Sequence, residues 1–391
     1  MNEPLSHAHS NVNALHKLPN PLVHEPILLP RRKTRALYLA YGPQHEQIFQ
    51  VGGGAPLSIQ SMNTTKTANI PATLQEISRL ALAGCDITRV AVPDFEAAEA
   101  LKVLVAQSPI PLVADIHFDA RLALAAIGAH VAALRINPGN IGGKEKIAAV
   151  AQAAKAEGIP IRVGVNAGSV SACRLDPEGR VTAQGLCDEA LAACEILTDL
   201  GFADICLSLK ASDPILAAEA YAKVAEACDF PLHLGVTEAG TLKDGLIKST
   251  VGLTLMLAQG LGDTLRISLT ADPLEEVKAA QKLLRTLGLR KGGPDLVACP
   301  TCGRTEVDLM AMAARVEEFL VGITAPLTVA VMGCPVNGPG EAKRADLGLA
   351  GGKDVYLLFR HGKIVAKYPP EEAFDALKQA ILDYEEAYRK S

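Results

Sequence analysis

Ala132-Ala133-Leu134-Arg135-Ile136-Asn137-Pro138-Gly139-Asn140-Ile141-Gly142-Gly143 is the stretch on which the fold reading turns. A short β-prone run (132–136) carries a cation near its end, Pro138-Gly139 breaks it, and a glycine-rich loop leads on toward a helix-like segment. The same unit recurs on both sides. Further β-rich runs fall at 57–62, 86–92, 111–116, 161–165, 204–209, 231–236 and 264–269, and helix-like stretches such as 72–83, 95–107, 185–200 and 273–287 follow them, with Gly, Pro or Asp at the joins. Eight strand–helix units predict a (β/α)8 TIM-type barrel. A doubly wound sheet more often has five or six strands and a glycine fingerprint after the first, and neither holds here.

Around this core the chain divides into a flexible leader at 1–32, a barrel at 33–290 that begins with a hairpin over 36–51, and a small α+β domain at 291–391. In the last region an amphipathic stretch (304–321), a strand (327–332), a hairpin turning at His361-Gly362 and a final helix (371–389) are expected. The segment 173–185 reads as a variable loop.

Composition agrees with an α/β protein. Apolar residues make up 49% of 391, aromatics only 4%, and there is no Trp, a palette of Ala, Leu, Val and Ile suited to buried parallel strands and Ala-rich helices. The net charge of −5 offers no global footprint for nucleic acid or an anionic membrane. No long uninterrupted apolar window and no basic-then-apolar leader appear, so a cytoplasmic protein is expected. Nine cysteines, an odd number, do not suggest a disulfide framework. Most of them, Cys206 among them, read as small core hydrophobes.

If the barrel reading holds, functional groups project from the C-terminal strand ends. Polar residues gather there: Gln60, Ser61 and Asn63; Arg89; Asp115 and His117; Arg135 and Asn137; Arg162 and Asn166; Ser208 and Lys210; His233, Thr237 and Glu238; Arg266 and Ser268. A single strand arginine is usually snorkelling or salt-bridged. Five cations at one mouth would repel one another without a counter-ion, so the array points to a polyanion, most simply one or two phosphates. The 137–143 loop can add backbone N–H donors at a helix start. Asp115, His117 and Glu238 are then the candidates for proton handling or for holding ligand hydroxyls.

The C-terminal region carries Cys299-Pro300-Thr301-Cys302 and, further on, Cys334-Pro335-Val336-Asn337-Gly338-Pro339-Gly340-Glu341. Three thiolates with a carboxylate in reach suit an iron–sulfur cluster with one iron not bound by thiolate. Zinc closed by Glu341 or His361 stays open as the alternative, which would make the chain a non-redox barrel lyase or transferase with a structural metal.

Together Cys299–Glu306, Gly333–Ala342, Ala114–Phe118, Leu134–Asn140, Arg162–Ser169, Ser208–Asp213, Gly235–Gly240 and Leu265–Ser268 closely resemble the bacterial 4-hydroxy-3-methylbut-2-enyl diphosphate synthases of the non-mevalonate isoprenoid pathway. The resemblance runs from about residue 31 to the C-terminus and lacks the large inserted domain of the plant-type form. It implies a [4Fe–4S] cluster on Cys299, Cys302 and Cys334, with Glu341 as a replaceable fourth ligand. The implied reaction is reductive ring opening and dehydration of 2-C-methyl-D-erythritol 2,4-cyclodiphosphate, with flavodoxin or ferredoxin as electron donor. Its negative charge would be met by Arg89, Arg135, Arg162, Lys210 and Arg266, with Asn137, Asn166 and Ser268 as further contacts. Family members form head-to-tail homodimers, so the resemblance also implies a site shared between chains.

Overall fold

The computed structural model describes residues 28–334 and 344–390. The chain separates into two compact units between Lys282 and Leu283. The first opens with an antiparallel hairpin, β1 (Ala36–Tyr41) and β2 (Gln47–Gly52), followed by eight parallel strands: β3 (Ser58–Met62), β4 (Ile87–Ala91), β5 (Leu112–Asp115), β6 (Ala133–Ile136), β7 (Ile161–Asn166), β8 (Ile205–Lys210), β9 (His233–Leu234) and β10 (Thr264–Leu265). The ladder order is β8-β7-β6-β5-β4-β3-β10-β9. A parallel bridge between Leu207 and Leu232 brings the two ends together, and the expected eight-stranded barrel results.

Helices α1 (Ile70–Leu82), α2 (Phe95–Gln107), α3 (Ala120–Gly128), α4 (Lys144–Ala156), α5 (Ala183–Thr198), α6 (Pro214–Ala227), α7 (Leu242–Ala258) and α8 (Pro273–Thr286) alternate with the barrel strands. Their starts are written in the sequence. Asn69, Asp94, Asp119, Thr182 and Asp213 each accept a backbone N–H from the first turn, a contact that contributes about 1 kcal/mol per helix. Leucine, isoleucine and alanine faces then bury against the strands, as at Leu101, Leu104, Ile127, Leu186 and Val224. Each such large aliphatic side chain adds about 1.5–3 kcal/mol.

The seam is where the barrel is weakest. β9 and β10 have two residues each, far shorter than the runs expected at 231–236 and 264–269. Side chains make up for missing ladder bonds: Asp263 accepts from Leu232 N at 2.9 Å and Thr34 Oγ1 at 2.9 Å, and Tyr221 Oη accepts from Leu209 N at 3.1 Å while donating to the His233 carbonyl. Arg31 pairs with Asp263 at 3.0 Å, and Leu29 N donates to Ala258 O at 2.8 Å. Residues 28–32, expected as the end of a leader, are therefore tied to the barrel, while 1–27 lie outside the described residues. The hairpin closes the N-terminal end of the barrel. Leu37, Leu39 and Val51 pack on the inward residues Ile87, Val113, Ala133 and Cys206.

The second unit holds a five-stranded sheet in the order β11-β12-β13-β14-β15. Its members are β11 (Asp295–Ala298), β12 (Thr328–Met332), β13 (Leu347–Gly352), β14 (Val355–Arg360) and β15 (Lys363–Tyr368), with helices α9 (Leu309–Leu320) and α10 (Pro370–Lys390). The first three strands run parallel and the last two antiparallel. Leu309, Val316, Val329, Val331, Leu349, Leu377 and Ile381 form one core. Two strands escaped the sequence reading. β13 reads Leu-Gly-Leu-Ala-Gly-Gly, a poor strand former on propensity, yet a Cβ on Gly348 would come within 2.4 Å of the Ala330 carbonyl, so close strand approach requires the glycine. β11 is only four residues long and follows Gly-Gly-Pro.

Candidate active site

Most of the charges that the pattern foretold gather at the C-terminal ends of the barrel strands; Arg162 does not, being the second residue of β7 (Ile161–Asn166), level with Cys206 beside the hairpin. Asp115, at the end of β5, is 3.6 Å from Arg89 Nε on β4 and 3.3 Å from Arg135 Nη1 on β6, and His117 Nε2 stands 3.5 Å away. Arg135 Nη1 also lies 3.3 Å from the His117 ring. Arg266, just past β10, is gripped by Glu276 of α8. Between Arg89 and Arg266 sits the thioether of Met62, 2.8 Å from Arg89 Nη2 and 3.6 Å from Arg266 Nη1. Arg162 donates to Gln60 Oε1 at 2.6 Å, and its Nε and Nη2 have no partner among the described residues.

Lys210 completes the set from the end of β8. It is buried, and its ammonium makes no hydrogen bond or ion pair among the described residues. Burial first, and then Arg89, Arg162, Arg266 and Arg135, pull its pKa well below the ordinary lysine value. Burial and Arg162 act in the same direction on Arg89; burial brings Arg162 down to about 10. A guanidinium does not give up its proton in a protein, so for the arginines this direction measures the cost of crowding like charges. Five cations stand against two buried carboxylates, Asp115 and Glu276, leaving three positive charges unbalanced within this group. Such an excess, desolvated, is stabilised by an anion of matching charge.

Asp115 plays counter-ion. Burial pushes its pKa up, but hydrogen bonding with His117 and the charges of Arg89 and Arg135 outweigh this and hold it well below the usual carboxylate range. His233 lies deeper on β9, fully buried and neutral, its pKa lowered by desolvation and then by Arg162 and Lys210. Glycines make room for the long cations. A Cβ on Gly164 would fall 2.6 Å from Arg135 Nε, and one on Gly235 would fall 3.1 Å from Lys210 Nζ.

Asn137, Asn166 and Ser268 are half-buried at strand ends and make no hydrogen bond to these charged groups; Asn137 Oδ1 instead accepts from Gly139 N at 3.1 Å. Glu238 is exposed in the loop after β9 at φ 52°, a left-handed conformation uncommon for glutamate. Met62 and Glu276 were missed by sequence reasoning. For Glu276 a signal existed: it shares a helix face with the buried Ala280 and Leu283, and a carboxylate on an apolar face needs a partner.

In the second unit, β11 and β12 run side by side and deliver Cys299 and Cys334 from adjoining ends, with Cys299 N donating to Val331 O at 3.3 Å. Cys299 Sγ accepts from Gly333 N at 3.2 Å. Cys334 is buried and Cys302 exposed, on a turn fixed by Thr305 Oγ1, which accepts from Cys302 N at 3.1 Å. Backbone hydrogen bonding at Arg304 and the Arg304 charge lower the Cys302 thiol pKa, favouring the thiolate. No group of three His, Cys, Asp or Glu side chains able to hold a metal is assembled among the described residues, and Glu341 lies outside them. The donor chemistry nonetheless fits a cluster: thiols at neighbouring strand ends, one already taking an N–H to sulfur and one biased toward thiolate.

Fold and site define a two-unit (β/α)8 protein with a mouth suited to a polyanion and a cysteine-bearing C-terminal unit. Comparison sharpens this. The GcpE TIM-barrel domain matches residues 46–281 and the GcpE protein C-terminal domain matches residues 295–383. The 4-hydroxy-3-methylbut-2-en-1-yl diphosphate synthase (flavodoxin) of Bacillus subtilis (strain 168) is 53% identical over 361 residues, 92% of this chain and 94% of that one. Those of Geobacillus kaustophilus (strain HTA426) and Anoxybacillus flavithermus (strain DSM 21510 / WK1) are 52% and 54% identical over 92% of this chain and 95% and 97% of theirs. The chain belongs to the GcpE family. Among solved structures, a dihydropteroate synthase from Yersinia pestis aligns with TM-score 0.45 and 14% identity over 61% of this chain and 96% of that one, too weakly to carry an argument.

Proposed function

We propose that this chain catalyses the synthesis for which its relatives are named, making 4-hydroxy-3-methylbut-2-en-1-yl diphosphate from 2-C-methyl-D-erythritol 2,4-cyclodiphosphate. Two electrons and two protons enter, a ring C–O bond breaks, and one water leaves. The observation that carries the substrate half is the excess of buried positive charge at the mouth. Arg89, Arg135, Arg162, Lys210 and Arg266 bind and neutralise the diphosphate, and Asn137, Asn166 and Ser268 complete the contacts at the rim. Asp115 keeps Arg89 and Arg135 in place and stays ionised, so proton delivery falls to His117 or Glu238.

A [4Fe–4S] cluster on Cys299, Cys302 and Cys334, with Glu341 as the exchangeable ligand, supplies the electrons when bound, drawing them from reduced flavodoxin or ferredoxin. The barrel (33–290) and the cysteine domain (291–391) are the two working parts, and a head-to-tail homodimer lets the cysteine domain of one chain serve the mouth of its partner. The reaction runs in the cytoplasm; no helix among the described residues is long and apolar enough to cross a membrane.

Anaerobic purification with iron, sulfide and zinc counted per subunit, followed by product formation from the cyclic diphosphate with a reduced viologen, tests this reading. Iron and sulfide in equal amounts with turnover support it. One zinc, no sulfide after reconstitution and no turnover would replace it with the barrel lyase or transferase.

A further inference from the structure

Glu276 is bound on every side. Its Oε2 accepts from Arg266 Nε at 3.0 Å and Ser61 Oγ at 3.1 Å, and its Oε1 accepts from Arg266 Nη2 at 3.1 Å and Leu269 N at 3.0 Å. The residue is 3% exposed, so solvent hardly competes for those oxygens. This side-on fork uses one N–H each of Nε and Nη2, and Nη1 makes only a long 3.6 Å contact to the Met62 thioether, so Arg266 keeps the second N–H of Nη2 and an N–H of Nη1 for a ligand. The helix-borne carboxylate thereby ties together β3 through Ser61, the end of β10 through Arg266, and the loop after it through Leu269.

We infer that Glu276 is a positioning residue: it sets the direction in which Arg266 presents its remaining N–H donors to the diphosphate. This rests on the reading of the mouth as a diphosphate site. Two effects of Glu276 oppose each other. As a negative charge near the mouth it weakens attraction for a polyanion; as a clamp it strengthens binding by removing the rotamer freedom of a long side chain.

The test is equilibrium binding of 2-C-methyl-D-erythritol 2,4-cyclodiphosphate to the full cluster-loaded chain without reductant, by calorimetry, with thermal melts alongside. If the unaltered chain does not bind, the proposed function fails and Glu276 is not at issue. If it binds, Glu276→Gln is expected to raise Kd roughly 10-fold or more, despite the more positive mouth. Glu276→Asp, which keeps the charge but is too short to hold Arg266 and Leu269 N together, is expected to raise it as well and serves if the glutamine variant does not fold. In an Arg266→Met background Glu276→Gln should cause no further weakening. Unchanged or tighter binding in the single variants, a melting temperature that falls while Kd stays put, or the same weakening without Arg266 would each overturn the inference.

Discussion

The barrel mouth and the cysteine end of the second sheet both lie where parallel strands stop, yet they are held in different ways. At the mouth, side chains far apart in sequence grip one another: Arg266 to Glu276 and Met62, Arg89 and Arg135 to Asp115, Arg162 to Gln60. Most are buried, with Arg266 and Met62 half-buried, so their positions are settled largely by packing before any ligand arrives. At the cysteine end exposure rises from Cys334 to Cys299 to Cys302, and the contacts are backbone bonds, such as Cys299 N to Val331 O, one N–H to sulfur and a local turn. One site is preorganised by the protein against itself; the other relies on backbone ends and short-range turn chemistry, and in our proposal on the group its thiols bind.

The largest break in this comparison comes from the cysteines. Cys299→Ala or Cys334→Ala should reduce turnover to background and lose iron and sulfide, while calorimetry finds the cyclic diphosphate still bound. Loss of substrate binding in these variants would mean the two sites are not separable. Next comes the mouth: Arg135→Ala, which leaves Asp115 without one of its two guanidinium partners, should weaken substrate binding by about 100-fold with iron content unchanged. Mixed assemblies of Cys299→Ala and Arg135→Ala chains, each inactive alone, should recover partial activity if the site is shared between subunits; confirmed heterodimers without activity would argue for a site within one chain.

Gly164→Ala should reproduce much of the Arg135 defect without removing a charge, since the added methyl occupies the guanidinium's place; normal affinity in that variant would show that Arg135 has another way to lie. The smallest effect is on stability. Because Lys210 has a folded pKa below its unfolded value, the unfolded chain binds more protons over the interval between them, and stability rises with pH toward the ordinary lysine range near about 10.4. Lys210→Met should remove that slope and add about 1–3 kcal/mol in urea melts while abolishing tight substrate binding. A destabilised methionine variant would mean that Lys210 is better solvated than its burial implies.

Much of this was legible beforehand because it depends on local rules. Gly, Pro or Asp at the joins and an Arg, Lys or Asp near the end of several strands mark strand–helix units from residue to residue, and three cysteines, two of them followed by Pro, mark the second unit. The β9 and β10 runs read too long because an apolar pattern does not reveal where the ladder stops. β13 was invisible because its three glycines argue against a strand until Gly348 is seen pressed against Ala330 and Phe359.

The sequence alone determined the barrel class, the two-part plan, the cation-rich mouth and the cysteine set, since period, capping and residue type are carried by neighbours in the chain. Only the tertiary structure decided which charges pair: that Asp115 serves two arginines, that Met62 stands between two more, that Glu276 forks Arg266 and that Lys210 is left without a partner among the described residues. Those choices follow from distance and desolvation in three dimensions, which couple residues more than two hundred positions apart and leave no trace in local pattern.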